Sequence, residues 1–208
     1  MFRIVISANT SWYLYNFRKN TILSLIENGY EVIAIAPIDE YSSKLVALGC
    51  TYIDINIDKG GTNPFKDIGT FYSFFKIYKN KKPTMVLNFT PKNNIYSTIA
   101  ASLYQIPSIN NIAGLGILFI NESISSKIAR LLYKVSQSKA SKIFFQNEDD
   151  KELFLSRKLA PENLTDRLPG SGVDLKRFEL QETTDDAKIS FLLIARMLFD
   201  KGVGHYVD

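Results

Sequence analysis

The chain has one cysteine, Cys50, and one histidine, His205. A lone thiol forbids a disulfide within the chain and suits a reducing cytoplasm. The same scarcity argues against a Cys/His zinc site and against a Ser-His-Asp triad. Long apolar runs are missing too. Val32–Pro37 and Ile117–Ile120 are among the longest, far short of the roughly 20 residues a membrane-spanning helix needs. The opening Met1-Phe2-Arg3-Ile4-Val5-Ile6 goes straight into a strand pattern with no cleavage site, so no signal peptide is read. Neither charge dominates: 25 Lys and Arg against 21 Asp and Glu leave a net +4. Nucleic-acid binders concentrate more basic charge than this on one face, and no nucleic-acid partner is expected. Gly114-Leu115-Gly116 is too short for a dinucleotide fingerprint, Gly60-Gly61 precedes no helix start directly, and no Walker motif occurs. NAD, FAD and P-loop nucleotide chemistry therefore have no support.

What is present is an ordinary globular composition, 46% hydrophobic and 22% charged, which excludes disorder and collagen-like or mucin-like repeats. Short β-branched runs alternate with amphipathic stretches. Strands are expected at Phe2–Ala8, Glu31–Ala36, Thr51–Ile57, Met85–Phe89, Ser108–Ala113 and Lys142–Gln146. Helices are expected at Asn16–Asn28, with Phe17, Ile22, Leu25 and Ile26 inward, and at Asp39–Leu48, Phe65–Lys79, Ile95–Tyr104, Ser123–Ser138 and Glu148–Lys158. Asn9–Trp12, Lys59–Pro64 and Thr90–Asn94 read as polar loops. This alternation specifies an α/β domain on a parallel sheet flanked by helices. Beyond the turn-rich Pro169–Asp174, Gln181–Lys188 is acidic and linker-like, and Ile189–Ala195 then reads as a strand and Lys201–Val207 as a helix. The acidic linker favours a truncated second domain over completion of the first sheet.

Open parallel sheets bind ligands beyond the carboxyl ends of their strands. The loops at that edge are Asn9–Tyr15, Pro37–Tyr41, Phe89–Asn94 and Gly114–Phe119, and three are rich in Asn, Thr and Ser. Such side chains suit the hydroxyls of a sugar or other polyol, although each is also an ordinary turn residue. Farther along, Arg196 stands at the end of the terminal strand and Lys201 at the start of the following helix. Two cations beside a helix N-terminus can cradle a diphosphate. In the Ser123–Ser138 helix, Ile124, Ile128, Leu131 and Val135 share one face, with Lys127, Arg130 and Lys134 in an adjacent arc. A basic stripe flanking an apolar face suits an anionic membrane surface, the alternative being solvated surface cations.

Taken together, several of these runs resemble a known family. Tyr15-Asn16-Phe17-Arg18, Ala36-Pro37-Ile38-Asp39-Glu40-Tyr41 and Asn63-Pro64-Phe65 are similar to the N-terminal half of bacterial retaining glycosyltransferases of the GT-B fold, family four. Gly172-Val173-Asp174 with Phe178, then Ala195-Arg196 and Lys201-Gly202, resemble that family's domain-crossing and donor-phosphate motifs. Within the family, the chain looks like the subgroup that adds hexosamines to undecaprenyl-diphosphate-linked sugars for capsule, O-antigen or protein glycan.

The resemblance implies a Rossmann-like acceptor-binding domain over residues 1–180, then a linker and the first strand and helix of an incomplete donor-binding domain over 181–208. It implies transfer from a nucleotide-sugar donor to a lipid-linked saccharide, with no cofactor and no required metal, at the inner face of the cell membrane. Asn9, Thr10, Lys92 and Asn94 would meet acceptor and sugar, and Arg196 and Lys201 would neutralise the departing diphosphate. Lys127, Arg130 and Lys134 would face the membrane. The family's loop histidine is replaced here by Pro91, and its paired-glutamate motif lies outside the chain, so no catalytic residue is assigned and the chain alone is expected to be inactive.

Three rival readings remain at this stage. One is a natural half-enzyme completed by a partner chain with a donor domain. Another is a non-catalytic module that binds saccharide or protein. The third is a sugar-nucleotide epimerase of related fold. The terminal strand, lacking a sheet of its own, also invites an added edge strand or self-association between chains.

Overall fold

In the computed structural model, residues 2–58, 63–114, 124–180, 191–195, 197 and 202–207 are described. They fall in two compact units, Met1–Asp174 and Leu175–Asp208. The first unit is a seven-stranded, wholly parallel sheet in the order β3-β2-β1-β4-β5-β6-β7. Its strands are β1 Arg3–Ser7, β2 Glu31–Ala36, β3 Thr51–Asp54, β4 Met85–Asn88, β5 Ser108–Ile112, β6 Lys142–Phe145 and β7 Thr165–Arg167. The chain order reverses between β1 and β4, which pair with Ser7 opposite Asn88. Such a switch point opens a crevice at the carboxyl ends of the two strands.

Alternating side chains divide the core between the two faces of the sheet. Ile6, Val32, Ala34 and Ala36 pack with Leu14 and Ile22 of α1 (Ser11–Glu27) and Leu45 of α2 (Ser42–Ala47). Val5, Ile33, Ile35 and Val86 face the opposite way. They join a cluster that includes Phe74 and Tyr78 of α3 (Pro64–Lys81), Ala100 of α4 (Thr98–Ser102), Tyr133 of α5 (Ile124–Gln137) and Phe154 of α6 (Glu148–Ser156). The result is a helix–sheet–helix sandwich.

Several expectations are corrected by the structure. The first helix starts at Ser11 rather than Asn16, because the Thr10 hydroxyl caps it by accepting from the Tyr13 amide at 3.0 Å. Its inward stripe is Ser11, Leu14, Arg18 and Ile22, and Phe17 lies 44% exposed. Residues 90–94 do not form an open loop. Helix begins at Pro91, a favoured residue for a first turn, and passes through a π-helical stretch, Asn93–Ser97, before α4. The third strand stops at Asp54, well before Ile57, and the second helix is confined to Ser42–Ala47. Thr165–Arg167, read as part of no element, supplies the edge strand β7.

In the second unit, Phe191–Ala195 is not a strand, and Phe191, Leu192 and Ile194 are exposed. Among the described residues no strand pairs with this run, so its apolar sequence has no ladder to join. The terminal helix α7 is Val203–Val207, and the Tyr206 hydroxyl donates to the Phe191 carbonyl at 2.6 Å. The expected loop from Lys59 to Thr62, the Gly114–Phe119 loop from Leu115 onward, the acidic segment Gln181–Lys188, and the cations Arg196 and Lys201 lie outside the described residues.

Candidate functional site

The β1–β4 crevice is built on a buried polar network. Asn88, at the end of β4, accepts at Oδ1 from Ser7 Oγ and Ser97 Oγ, both at 2.7 Å. Its Nδ2 donates to Asn110 Oδ1 of β5 at 2.9 Å. Asn110 in turn donates to Gln137 Oε1 at 2.8 Å, and Gln137 Nε2 donates to the carbonyl of Asn94 at 3.2 Å. The Tyr78 hydroxyl meets Ser97 Oγ at 2.5 Å. Polar groups so deeply buried are tolerated because they are paired. Here they also hold the widened π-helical turn, whose backbone bonds depart from the α pattern. In that turn Asn93 Nδ2 and Asn94 Oδ1 have no hydrogen-bond partner among the described residues.

The four residues expected to meet acceptor and sugar follow the adjacent strands β1 and β4, but their side chains take separate tasks. Thr10 caps α1, and Asn9 is half-buried beside it. Asn94 points into the interior, donating from Nδ2 to the Asn111 carbonyl at 3.0 Å. Lys92 turns toward α3 and binds Asp67 Oδ1 at 2.5 Å. Tyr96 stands beside that pair. Burial pushes its hydroxyl pKa up, and the charge of Asp67 and a hydrogen bond to it push further the same way.

Lys92, Asp67 and Tyr96 border a cavity of about 500 Å³ between α3, the π-helical stretch and α5, whose other walls include Ile68, Phe71, Ile95, Ile128 and Leu132. It lies in the size range of small-molecule sites and its lining is mainly apolar. Beside it, α5 turns Ser126, Tyr133, Ser136 and Gln137 inward. Ile128, Leu131 and Val135 are left 54%, 61% and 41% exposed. Lys127 and Lys134 are exposed on the same helix, and Arg130 is half-buried. No helix among the described residues is long and apolar enough to cross a membrane.

The crevice holds further residues that sequence reasoning passed over. Arg18, on the inward stripe of α1, donates from Nη2 to the Tyr13 hydroxyl and to Ser171 Oγ, each at 3.1 Å. Gln146, just after β6, donates to the same Ser171 Oγ at 2.8 Å and to Asn111 Oδ1 at 3.3 Å. A polar row thus runs from α1 along the carboxyl edge to the ends of β5 and β6. One signal was available: a cation four residues from both Leu14 and Ile22 sits on an apolar stripe.

Comparison with known proteins bears on the fold and the family. Over its whole length the chain is similar to the N,N'-diacetylbacillosaminyl-diphospho-undecaprenol alpha-1,3-N-acetylgalactosaminyltransferase of Campylobacter jejuni. The two are 29% identical over 223 residues, covering 99% of this chain and 59% of that protein. The chain thus spans about three-fifths of the length of this relative. Among solved structures, a glycosyltransferase from Rickettsia africae matches with a TM-score of 0.63 at 16% identity, over 86% of this chain and 45% of that one. UDP-GlcNAc 2-epimerase from Neisseria meningitidis matches with a TM-score of 0.57 at 21% identity, over 79% and 46%. At those identities the likeness is one of fold. The pattern of the glycosyl transferase 4-like family covers residues 3–147, from the first strand past the end of β6, and the chain belongs to that family.

Proposed function

We propose that this chain is the acceptor-binding half of a retaining glycosyltransferase. The parent enzyme moves a sugar from a nucleotide donor to a saccharide carried on a polyprenyl diphosphate, in capsule, O-antigen or glycan synthesis. The observation that carries the reading is family membership over residues 3–147, joined to the C. jejuni relative whose name specifies a diphospho-undecaprenol acceptor. Donor binding belongs to the part of the parent enzyme that this chain does not span, apart from Arg196 and Lys201, which neutralise the leaving diphosphate without a metal. The chain alone does not turn over.

The exposed apolar face of α5 supports the second part of the proposal, peripheral attachment to the inner face of the membrane. Ile128, Leu131 and Val135 have no cover among the described residues, and Lys127 and Lys134 flank them. Apolar insertion and attraction to anionic headgroups act together in such helices. The apolar cavity opens between this helix and α3, where Phe65 and Ile68 are also exposed.

The test is a transfer assay on the parent enzyme with UDP-hexosamines and a polyprenyl-diphosphate-linked saccharide. Extension of the saccharide by one sugar, with the donor's anomeric configuration kept, is the expected result. Turnover of the nucleotide sugar to its epimer, with no acceptor consumed, would overturn the proposal.

A further inference from the structure

Arg18 is a buried cation with no counter-ion among the described residues. The residue is 7% exposed, and among the described residues no carboxylate pairs with it. Two other cations in the unit that are partly withdrawn from solvent have carboxylate partners: Arg3 bonds Glu31 at 2.9 Å, and Lys92 bonds Asp67. The surroundings of Arg18 are neutral. Its Cζ lies 4.3 Å from the Phe89 ring centroid and 5.7 Å from that of Tyr13. Nη2 donates to two hydroxyls, whereas Nε is buried with no hydrogen-bond partner among the described residues.

A guanidinium does not shed its proton in a protein, so burial cannot neutralise it. Aromatic faces and hydroxyls soften the loss of water but supply no net negative charge. The fold therefore keeps a desolvated positive charge and an unused N–H at one particular place. Phe89 immediately follows β4, so the charge sits at the β1–β4 switch point, where parallel sheets take their ligands. We propose that Arg18 is an anion-binding residue whose ligand is the diphosphate of the lipid-linked acceptor, received by the guanidinium fork. The assignment rests on the glycosyltransferase reading for the identity of the diphosphate. Arg18 belongs to the Met1–Asp174 unit.

The test titrates the chain with geranyl diphosphate, UDP and inorganic pyrophosphate, following heat of binding and thermal midpoint for wild type, Arg18→Met and Arg18→Lys. Wild type is expected to bind geranyl diphosphate, and Arg18→Met to weaken it by about 30-fold or more. The unliganded midpoint of Arg18→Met should equal or exceed that of wild type, because an uncompensated charge has been removed. Arg18→Lys keeps the charge without the fork and should fold and bind more weakly. Unchanged affinity for geranyl diphosphate in either variant overturns the proposal. So does a lower unliganded midpoint in Arg18→Met with no affinity for the diphosphates in wild type, which would make Arg18 a structural brace. Loss confined to UDP assigns the site to the donor and overturns the acceptor assignment. Arg18-dependent pyrophosphate binding, in an enzyme that does not extend lipid-linked saccharide, leaves the anion site standing and removes only the functional reading.

Discussion

Gln137 and Asn94 are joined side chain to main chain. From the last turn of α5, the Gln137 amide nitrogen donates to the Asn94 carbonyl at 3.2 Å, while its oxygen accepts from Asn110 at 2.8 Å. One side chain thus ties the π-helical stretch after β4 to β5 and α5. Gln137→Leu leaves the Asn110 amide without its 2.8 Å acceptor in the interior. The expected loss is about 1–3 kcal/mol of stability, read by urea denaturation. Hydrogen exchange should rise first at residues 93–97, and uniform protection there would contradict the role given to Gln137.

The membrane proposal separates from stability on α5. Ile128 and Leu131 are exposed, so Ile128→Gln and Leu131→Gln should change folding stability by no more than about 0.5 kcal/mol. Both should reduce sedimentation with vesicles containing anionic lipid. Replacing Lys127 and Lys134 together by Gln removes two surface charges, each contributing about 1 kcal/mol near such a membrane. Affinity should fall by about 30-fold at low salt, and less as salt rises.

Alkaline pH should destabilise the first unit. Burial raises the Cys50 thiol from an ordinary 9.0 to about 11. Burial also raises the hydroxyls of Tyr78, Tyr96 and Tyr133 above their ordinary 10.0. Each group holds its proton more tightly folded than unfolded, so its contribution is complete below the unfolded pKa. It is lost as pH climbs through the folded value, a decline starting near pH 9 for Cys50. Thermal midpoints measured from pH 7 to 11 should fall across that upper range. Cys50 should also resist alkylation at pH 8 until the chain unfolds.

Much of the sheet was legible because buried parallel strands leave dense β-branched runs: Glu31–Ala36 is strand from end to end, as its sequence reads. The misses share a cause. Composition assigns polar residues to the surface, and this fold turns a polar set inward. Asn93 and Asn94 read as loop, yet tertiary hydrogen bonds from Asn110 and Gln137 draw that stretch into a helix. Phe17, read as inward, is exposed, because Leu14 and Ile22 are the α1 residues that pack on the sheet, and Arg18 lies on their stripe. Thr165–Arg167 is short and polar, and only its pairing with β6 makes it a strand. Asn9, Thr10, Lys92 and Asn94 were read as residues of the carboxyl-edge loops; the contacts of Lys92 with Asp67 and of Asn94 with Asn111 were not legible, because those partners lie 25 and 17 residues away.

The leaving-group assignment yields its own expectation in the parent enzyme. Arg196→Ala or Lys201→Ala should each lower kcat by about 10²–10³, the usual effect of removing one preorganised charge-stabilising donor. Acceptor affinity should be unchanged in both. Full turnover in both variants would show that other groups hold the diphosphate.

The most direct measurement is equilibrium binding by this 208-residue chain of a short-chain polyprenyl-diphosphate-linked hexosamine, compared with binding of the UDP-hexosamine alone. An acceptor-binding half predicts saturable affinity for the lipid-linked sugar and none for the nucleotide sugar over the same concentration range. Affinity for the nucleotide sugar with none for the lipid-linked acceptor would contradict the account.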